Sequence, residues 1–298
     1  MDYQGKPIDF MKHYVLYFII SGLIIVPGIY SLIRYGLRPA IDFTGGSVIE
    51  MHLGTKISDE TLKANMPTGV EVISIQHPSD QSYIVKTKPI SNELNELAKQ
   101  RIASQAGTIK GWQFESVGPT MGKELLTKMV TAILLSAGLI LLYVAYRFKN
   151  VKYGVSAVIA MFHDSLVVLG VFSLLGHFMG VEVDTLFITA LLTILSFSVH
   201  DTIVVYDRIR ESSKIFPRAG FVDLINKAVN ETLARSINNS MTVIFMLLAM
   251  WLMGGETTKW FVFALLIGTV TGTYSSTFTA APLLVLWERL SHSKKKKK

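Results

Sequence analysis

The sequence predicts a polytopic α-helical membrane protein with six transmembrane helices and an α+β domain inserted between the first and second. Three observations predict it. Of 298 residues, 50% are hydrophobic and only 17% charged, where soluble domains carry about 25% charge, and the mean hydropathy is +0.41. About six apolar runs are long enough to cross a hydrocarbon core of ~30 Å. A single long polar stretch, residues 34–127, interrupts them.

The formal charge of +7 does not point to nucleic acid, because the terminal run Lys294–Lys298 supplies five of those charges. A basic, charge-poor, apolar chain fits a membrane, and the tail suits anionic lipid or plain solvent. The absence of cysteine excludes disulfides, thiolate metal sites and cysteine nucleophiles.

Residues 1–12 are read as a cytoplasmic N-terminus. The first span, 13–33, follows Lys6 and Lys12, lacks a small-residue cleavage site and runs into Arg34, so it reads as an uncleaved anchor. The other spans fall near 128–146, 155–176, 185–206, 236–253 and 260–287, the block 128–287 being followed by a basic tail, 288–298. Positive charge concentrates at Arg147, Lys149 and Lys152, at Arg208, Arg210, Lys214, Arg218 and Lys227, and after Arg289. The loop His177–Asp184 has no lysine or arginine. This asymmetry places both termini in the cytoplasm and residues 34–127 outside it.

Within 34–127 the pattern gives a strand near Ser47–Leu53 and then a helix capped by Ser58, with Asp59 and Glu60 in its first turn. Strands follow near Val70–Gln76 and Tyr83–Thr87. A helix from Ser91 to about Gln105 aligns Leu94, Leu97, Ala98 and Ile102, and a last strand lies near Ile109–Val117. The order βαββαβ suits a ferredoxin-like sandwich. In the loop 207–234, Phe221, Leu224, Ile225, Ala228, Val229, Thr232 and Leu233 recur at helical spacing. They suggest an amphipathic helix lying in the membrane interface, or a docking surface.

Ionisable groups inside the spans carry the functional argument, since a mid-bilayer carboxylate costs ~2.5–3.5 kcal/mol on insertion scales. Tyrosines aside, they occur as His163-Asp164 in span three and His200-Asp201 in span four, with Arg235 at the mouth of span five. At 1.5 Å per residue Asp164 lies ~14 Å and Asp201 ~8 Å from the same membrane face, so one polar layer could hold them with Arg235. A carboxylate balanced between burial and a nearby guanidinium can load and release a proton; a static ion pair remains the alternative. His200 reads equally as a relay or as a plain hydrogen-bond donor. Asn238, Asn239 and Thr242 share the Arg235 face, and span six carries Thr273 and Ser276 in a hydroxyl-rich run. These five could line a hydrated path or serve close helix packing. Gly45-Gly46 is no phosphate loop, and His163 and His177 lack metal-ligand spacing.

Asp42-Phe43-Thr44-Gly45-Gly46 after span one, and Val117-Gly118-Pro119 with Gly122 and Glu124-Leu125 before span two, resemble signatures of the SecD/SecF family. So does Ser198–Glu211 in span four, which includes Asp207 and Arg208 and is closer to the SecF branch. His163-Asp164 and Arg235-Ser236-Ile237-Asn238 sit where that branch has matching residues. Two positions depart from its pattern: His200 replaces the common asparagine and Tyr206 the usual phenylalanine. The resemblance implies half of a twelve-helix RND-like unit, completed by SecD and working beside the SecYEG channel with YajC and YidC. It implies coupling of proton flow to the late release of an unfolded preprotein, with Asp201 the proton-binding carboxylate and Arg235 its partner. It implies no cofactor, no hydrolytic activity of its own, no nucleic acid and a bacterial inner membrane. An RND-type exporter of small molecules or lipids, and a purely structural translocon subunit, are the competing readings.

Overall fold

Six helices of the computed structural model are long and apolar enough to cross a membrane: Phe10–Arg34, Thr120–Phe148, Val151–Met179, Thr185–Ile215, Phe221–Met253 and Thr257–Leu290. The protein is a multi-pass membrane protein. The structure describes residues 8–295, so Lys6 and Lys296–Lys298 of the basic tail lie outside the described residues. The chain divides into two compact units, residues 39–131 and the remainder.

In the smaller unit, helix α2 (Ile41–Thr44) precedes β1 (Gly46–Leu53), α3 (Asp59–Ala64), β2 (Val72–Ser79), β3 (Ser82–Thr87), α4 (Asn92–Ala106) and β4 (Ile109–Val117). The sheet is antiparallel in the order β2-β3-β1-β4, which is the ferredoxin-like order. Alternation on β1 turns Ile49, Met51 and Leu53 inward against Leu62, Ala98 and Ile102 of the helices. Ser58 and Ser91 cap α3 and α4 by accepting from the Thr61 and Leu94 amides. Leu97 departs from the expected face: it is largely exposed, whereas Ala98 and Ile102 are fully buried and Leu94 packs on them. The buried stripe on α4 is Asn95, Ala98, Ile102 and Ala106, which turns Leu97 away from it.

The larger unit contains α1 (Tyr14–Arg34), the membrane part of α5 (Pro119–Phe148), α6 (Val151–Met179), α7 (Thr185–Ile215), α8 (Phe221–Met253), α9 (Glu256–Ser275) and α10 (Ala281–Lys295). A π-helical turn, Ser276–Ala280, joins α9 to α10. Helices α6 and α7 are the interior spans, and α5 is peripheral. Small residues set the crossings. A Cβ on Gly170 of α6 would stand 2.6 Å from the Gly28 Cα of α1, and one on Gly268 of α9 would collide with the Ile194 side chain of α7. Helices approach this closely only where the side chain is a hydrogen.

Two expectations change here. The amphipathic stretch 221–234 does not lie in the interface as a separate helix. It is the first half of α8, continuous with span five, and Leu224, Ile225, Ala228 and Val229 are buried against protein rather than lipid. The fourth span likewise continues to Ile215, so most of the loop is helical. The hydrophobic face found a protein partner, including Met11 beneath the first span, which removes the reason to spread on a membrane surface.

Candidate functional site

The two buried carboxylates occupy separate hydrogen-bond sets rather than one shared layer. Asp201, on the inner face of α7, is buried, and Ser236 of α8 donates to its Oδ2 at 2.8 Å. Ser240, one turn further along α8, stands beside the same carboxylate. Ser236 and Ser240 follow Ala228, Val229 and Thr232 on the buried stripe of α8, so the packing that seats the helix also delivers the two hydroxyls.

Asp164 is fully buried in α6. Its Oδ1 lies 3.0 Å from Nδ1 of His163, and Ser275 of α9 donates to its Oδ2 at 2.6 Å. Nε2 of His163 lies 3.0 Å from Oγ of Ser21 on α1. The Tyr274 ring stacks 6.1 Å from the imidazole, and its hydroxyl donates to the Tyr17 carbonyl at 3.0 Å. Every polar atom of this set is thus engaged by α1, α6 or α9.

Other expected residues are placed differently. His200 is exposed on the outer side of α7, not in the buried layer beside Asp201. Arg235, Asn238, Asn239 and Thr242 form the shared face that their spacing requires, but that face is exposed too. Among the described residues no ion pair joins Arg235 to Asp201, because adjacent helix positions diverge by ~100° and Ser236 takes the inward one. Thr273 and Ser276 belong to α9 and its π-turn: the Thr273 hydroxyl bonds Ser240 at 2.6 Å, and Ser276 donates to the Thr273 carbonyl at 3.1 Å. Thr273 and Ser276 thus bond inside the bundle, whereas Asn238, Asn239 and Thr242 face outward.

Arg235 borders a cleft of about 480 Å³ between α7 and α8, together with Val204, Asp207, Arg208, Glu211, Glu231 and Thr232. Val204 and Thr232 lie one turn from Asp201 and Ser236 respectively, so the cleft ends one helical turn from the carboxylate. Arg208 closes it with ion pairs to Glu231 at 2.5 Å and Glu211 at 2.7 Å, and Asp207 reaches Arg147 at 3.1 Å. Tyr206 donates to the Ala280 carbonyl at 3.3 Å, at the end of the π-turn.

The glycine motif is structural in its geometry. Gly45 and Gly46 have φ of 74° and 145°, which L side chains rarely adopt, and they release the chain from α2, which holds Asp42, into β1. A Cβ on Gly122 would stand 2.7 Å from the Phe43 carbonyl oxygen, so α5 packs directly on the backbone of that turn. Gly118 meets nothing, and Pro119 opens α5 at the position where a missing N–H is harmless.

Sequence reasoning missed Ser236 and Ser240 as members of the Asp201 seam, and Ser21 as the α1 contact of His163 away from it. The available signal was a serine pair four apart, at 236 and 240, one residue out of phase with the more conspicuous Arg235 and Asn239.

Comparisons with known proteins identify the family of the chain. Residues 98–290 match the family model described as protein export membrane protein SecD/SecF, C-terminal, and residues 30–56 match the SecD/SecF GG motif. A protein translocase subunit SecF of Thermobaculum terrenum is 42% identical over 298 aligned positions, covering 94% of each chain. That of Anaerolinea thermophila is 39% identical over 92% of each. The crystal structure of SecDF, a translocon-associated membrane protein from Thermus thermophilus, superimposes with a TM-score of 0.82 at 32% identity. It covers 97% of this chain, which spans 40% of that longer protein. On these matches the chain belongs to the SecD/SecF family of protein export membrane proteins.

Proposed function

We propose that this chain is a translocase subunit that couples proton movement to protein export, with Asp201 as the proton-binding carboxylate. The observation that carries the reading is the Asp201 seam. A carboxylate buried between α7 and α8 ends one helical turn from a charged cleft, while His200 and Arg235 stand exposed on the same two helices. Charged and amide groups at membrane depth need a polar partner. The face His200, Arg235, Asn238, Asn239, Thr242 therefore suits a second six-helix chain of SecD type, which the Thermus thermophilus relative, named SecDF, carries in one polypeptide. Protons are the coupling ion, and no cofactor or hydrolytic step is needed. The chain sits in a bacterial inner membrane with both termini cytoplasmic and residues 34–127 outside, beside a SecYEG channel with YajC and YidC as neighbours and an unfolded preprotein as cargo.

Gradient-driven release of an exported protein from membrane vesicles tests this. Asp201→Asn should abolish the gradient-dependent part while the complex still assembles. Normal release would refute the proton-carrier role and favour a structural subunit; a defect confined to small-solute efflux would favour an exporter.

A further inference from the structure

Three consecutive residues of α9 each touch a different helix. Thr273 bonds Ser240 of α8, Tyr274 donates to the Tyr17 carbonyl of α1, and Ser275 donates to Asp164 of α6. The first contact leads to the Asp201 carboxylate, where Ser240 and Ser236 stand. The third leads through His163 to Ser21 of α1. The π-turn starts at Ser276, immediately after the triplet, and such turns loosen the helical ladder and recur at functional sites.

Resting on the proton-coupled reading above, we propose that Thr273-Tyr274-Ser275, with Asp164, His163 and Ser21, forms a coupling joint that conveys the proton state of Asp201 to α1. The Asp164 set is the joint's far arm and not a second proton port. Its carboxylate is fully buried, both oxygens are engaged, and neither Asp164 nor His163 lines the α7–α8 cleft.

Donor and acceptor roles supply the physics. An ionised Asp201 accepts hydrogen bonds from serine hydroxyls, whereas a protonated one carries an O–H and can donate instead. Reversal at Ser240 changes what Thr273 must do, and Thr273 shares one helical turn with Ser275. The receiving helix is the one whose chain runs on into residues 39–131, so the joint acts on the segment leading to that domain.

The test separates proton flux from protein release in the reconstituted complex with its SecD-type partner. Ser21→Ala removes the His163 contact to α1 without touching the Asp201 seam. Proton flux should stay within about twofold of wild type while gradient-driven release falls about fivefold, the scale of one buried hydrogen bond in a two-state equilibrium. Ser21→Thr, which keeps the hydroxyl, should restore release. Flux and release falling in proportion, or release unchanged, would overturn the joint. Asp201→Asn is run alongside: if that variant keeps normal flux, the proton-coupled reading itself fails, and the joint falls with it.

Discussion

Ser236 of α8 donates a 2.8 Å hydrogen bond to Asp201 of α7, and this contact, rather than an arginine, is what meets the buried carboxylate. A hydrogen bond to an ionised group contributes about 1.5–3 kcal/mol. Ser236→Ala should therefore reduce gradient-driven release by about tenfold or more without removing the carrier, while Ser236→Thr stays near wild type. Release assays on vesicles with matched amounts of complex decide it. Equal activity of the alanine and threonine variants would show that the hydroxyl is idle.

The glycines of the family motif divide into tolerant and intolerant positions. Gly122→Ala puts a methyl 2.7 Å from a backbone carbonyl that cannot rotate away, whereas Gly118 has open space around it. Overpacking of this kind costs about 1–3 kcal/mol. Gly122→Ala should lower the melting temperature of the detergent-solubilised protein by several degrees, and Gly118→Ala should leave it close to wild type.

Asn226 and Asn230, one turn apart on α8, hold the segment before α1. Asn230 Oδ1 accepts from the Ile8 amide at 3.0 Å, and its Nδ2 donates to the Ile8 carbonyl at 2.8 Å. Asn226 Oδ1 accepts from the Met11 amide at 3.0 Å, and its Nδ2 donates to Asp9 at 2.7 Å. Replacing both with alanine should raise hydrogen exchange at the Ile8 and Met11 amides by an order of magnitude, about what losing these bonds is worth. Unchanged protection would mean that Met11 burial alone holds the segment.

Lys56 and Asp80 pair at 2.7 Å on the surface of the α+β unit. The hydrogen bond from Lys56 and its charge hold the Asp80 carboxyl below its ordinary value, and Asp80 holds the Lys56 ammonium above its own. The Asp80 contribution is present above the unfolded carboxyl value, about 3.9, and is lost as pH falls through the lower folded value. The Lys56 contribution is present below about 10.4 and is lost as pH rises through the higher folded value. Lys56→Ala should move the Asp80 titration upward in a carboxyl NMR experiment. Melting between pH 6 and 8 should barely change, because both groups are solvated.

Elements were legible in this sequence wherever period or capping chemistry acts alone. Ser58 and Ser91 mark two helix starts, and the alternation of Ile49, Met51 and Leu53 marks the inward face of a strand. Partner choice was not legible, because it depends on helix rotation. Arg235 and Ser236 are neighbours in sequence, yet only the serine turns toward Asp201, and depth arithmetic contains no azimuth. The same blindness placed His200 with Asp201, although consecutive residues on α7 point ~100° apart. Span lengths were underestimated for a different reason. Hydropathy reports only the lipid-embedded part of α7 and α8, and their charged continuations past Tyr206 and before Arg235 are helical because protein packing covers their apolar stripe.

That continuity makes α8 a rigid rod. Its 33 residues extend about 50 Å, well beyond a hydrocarbon core of ~30 Å. Ser236 and the two asparagines that grip residues 8–11 sit on the same unbroken shaft, about 15 Å apart at the Asn226 end. A tilt that draws Ser236 away from Asp201 must swing the asparagines as well, so a pull on residues 8–11 is felt at the carboxylate.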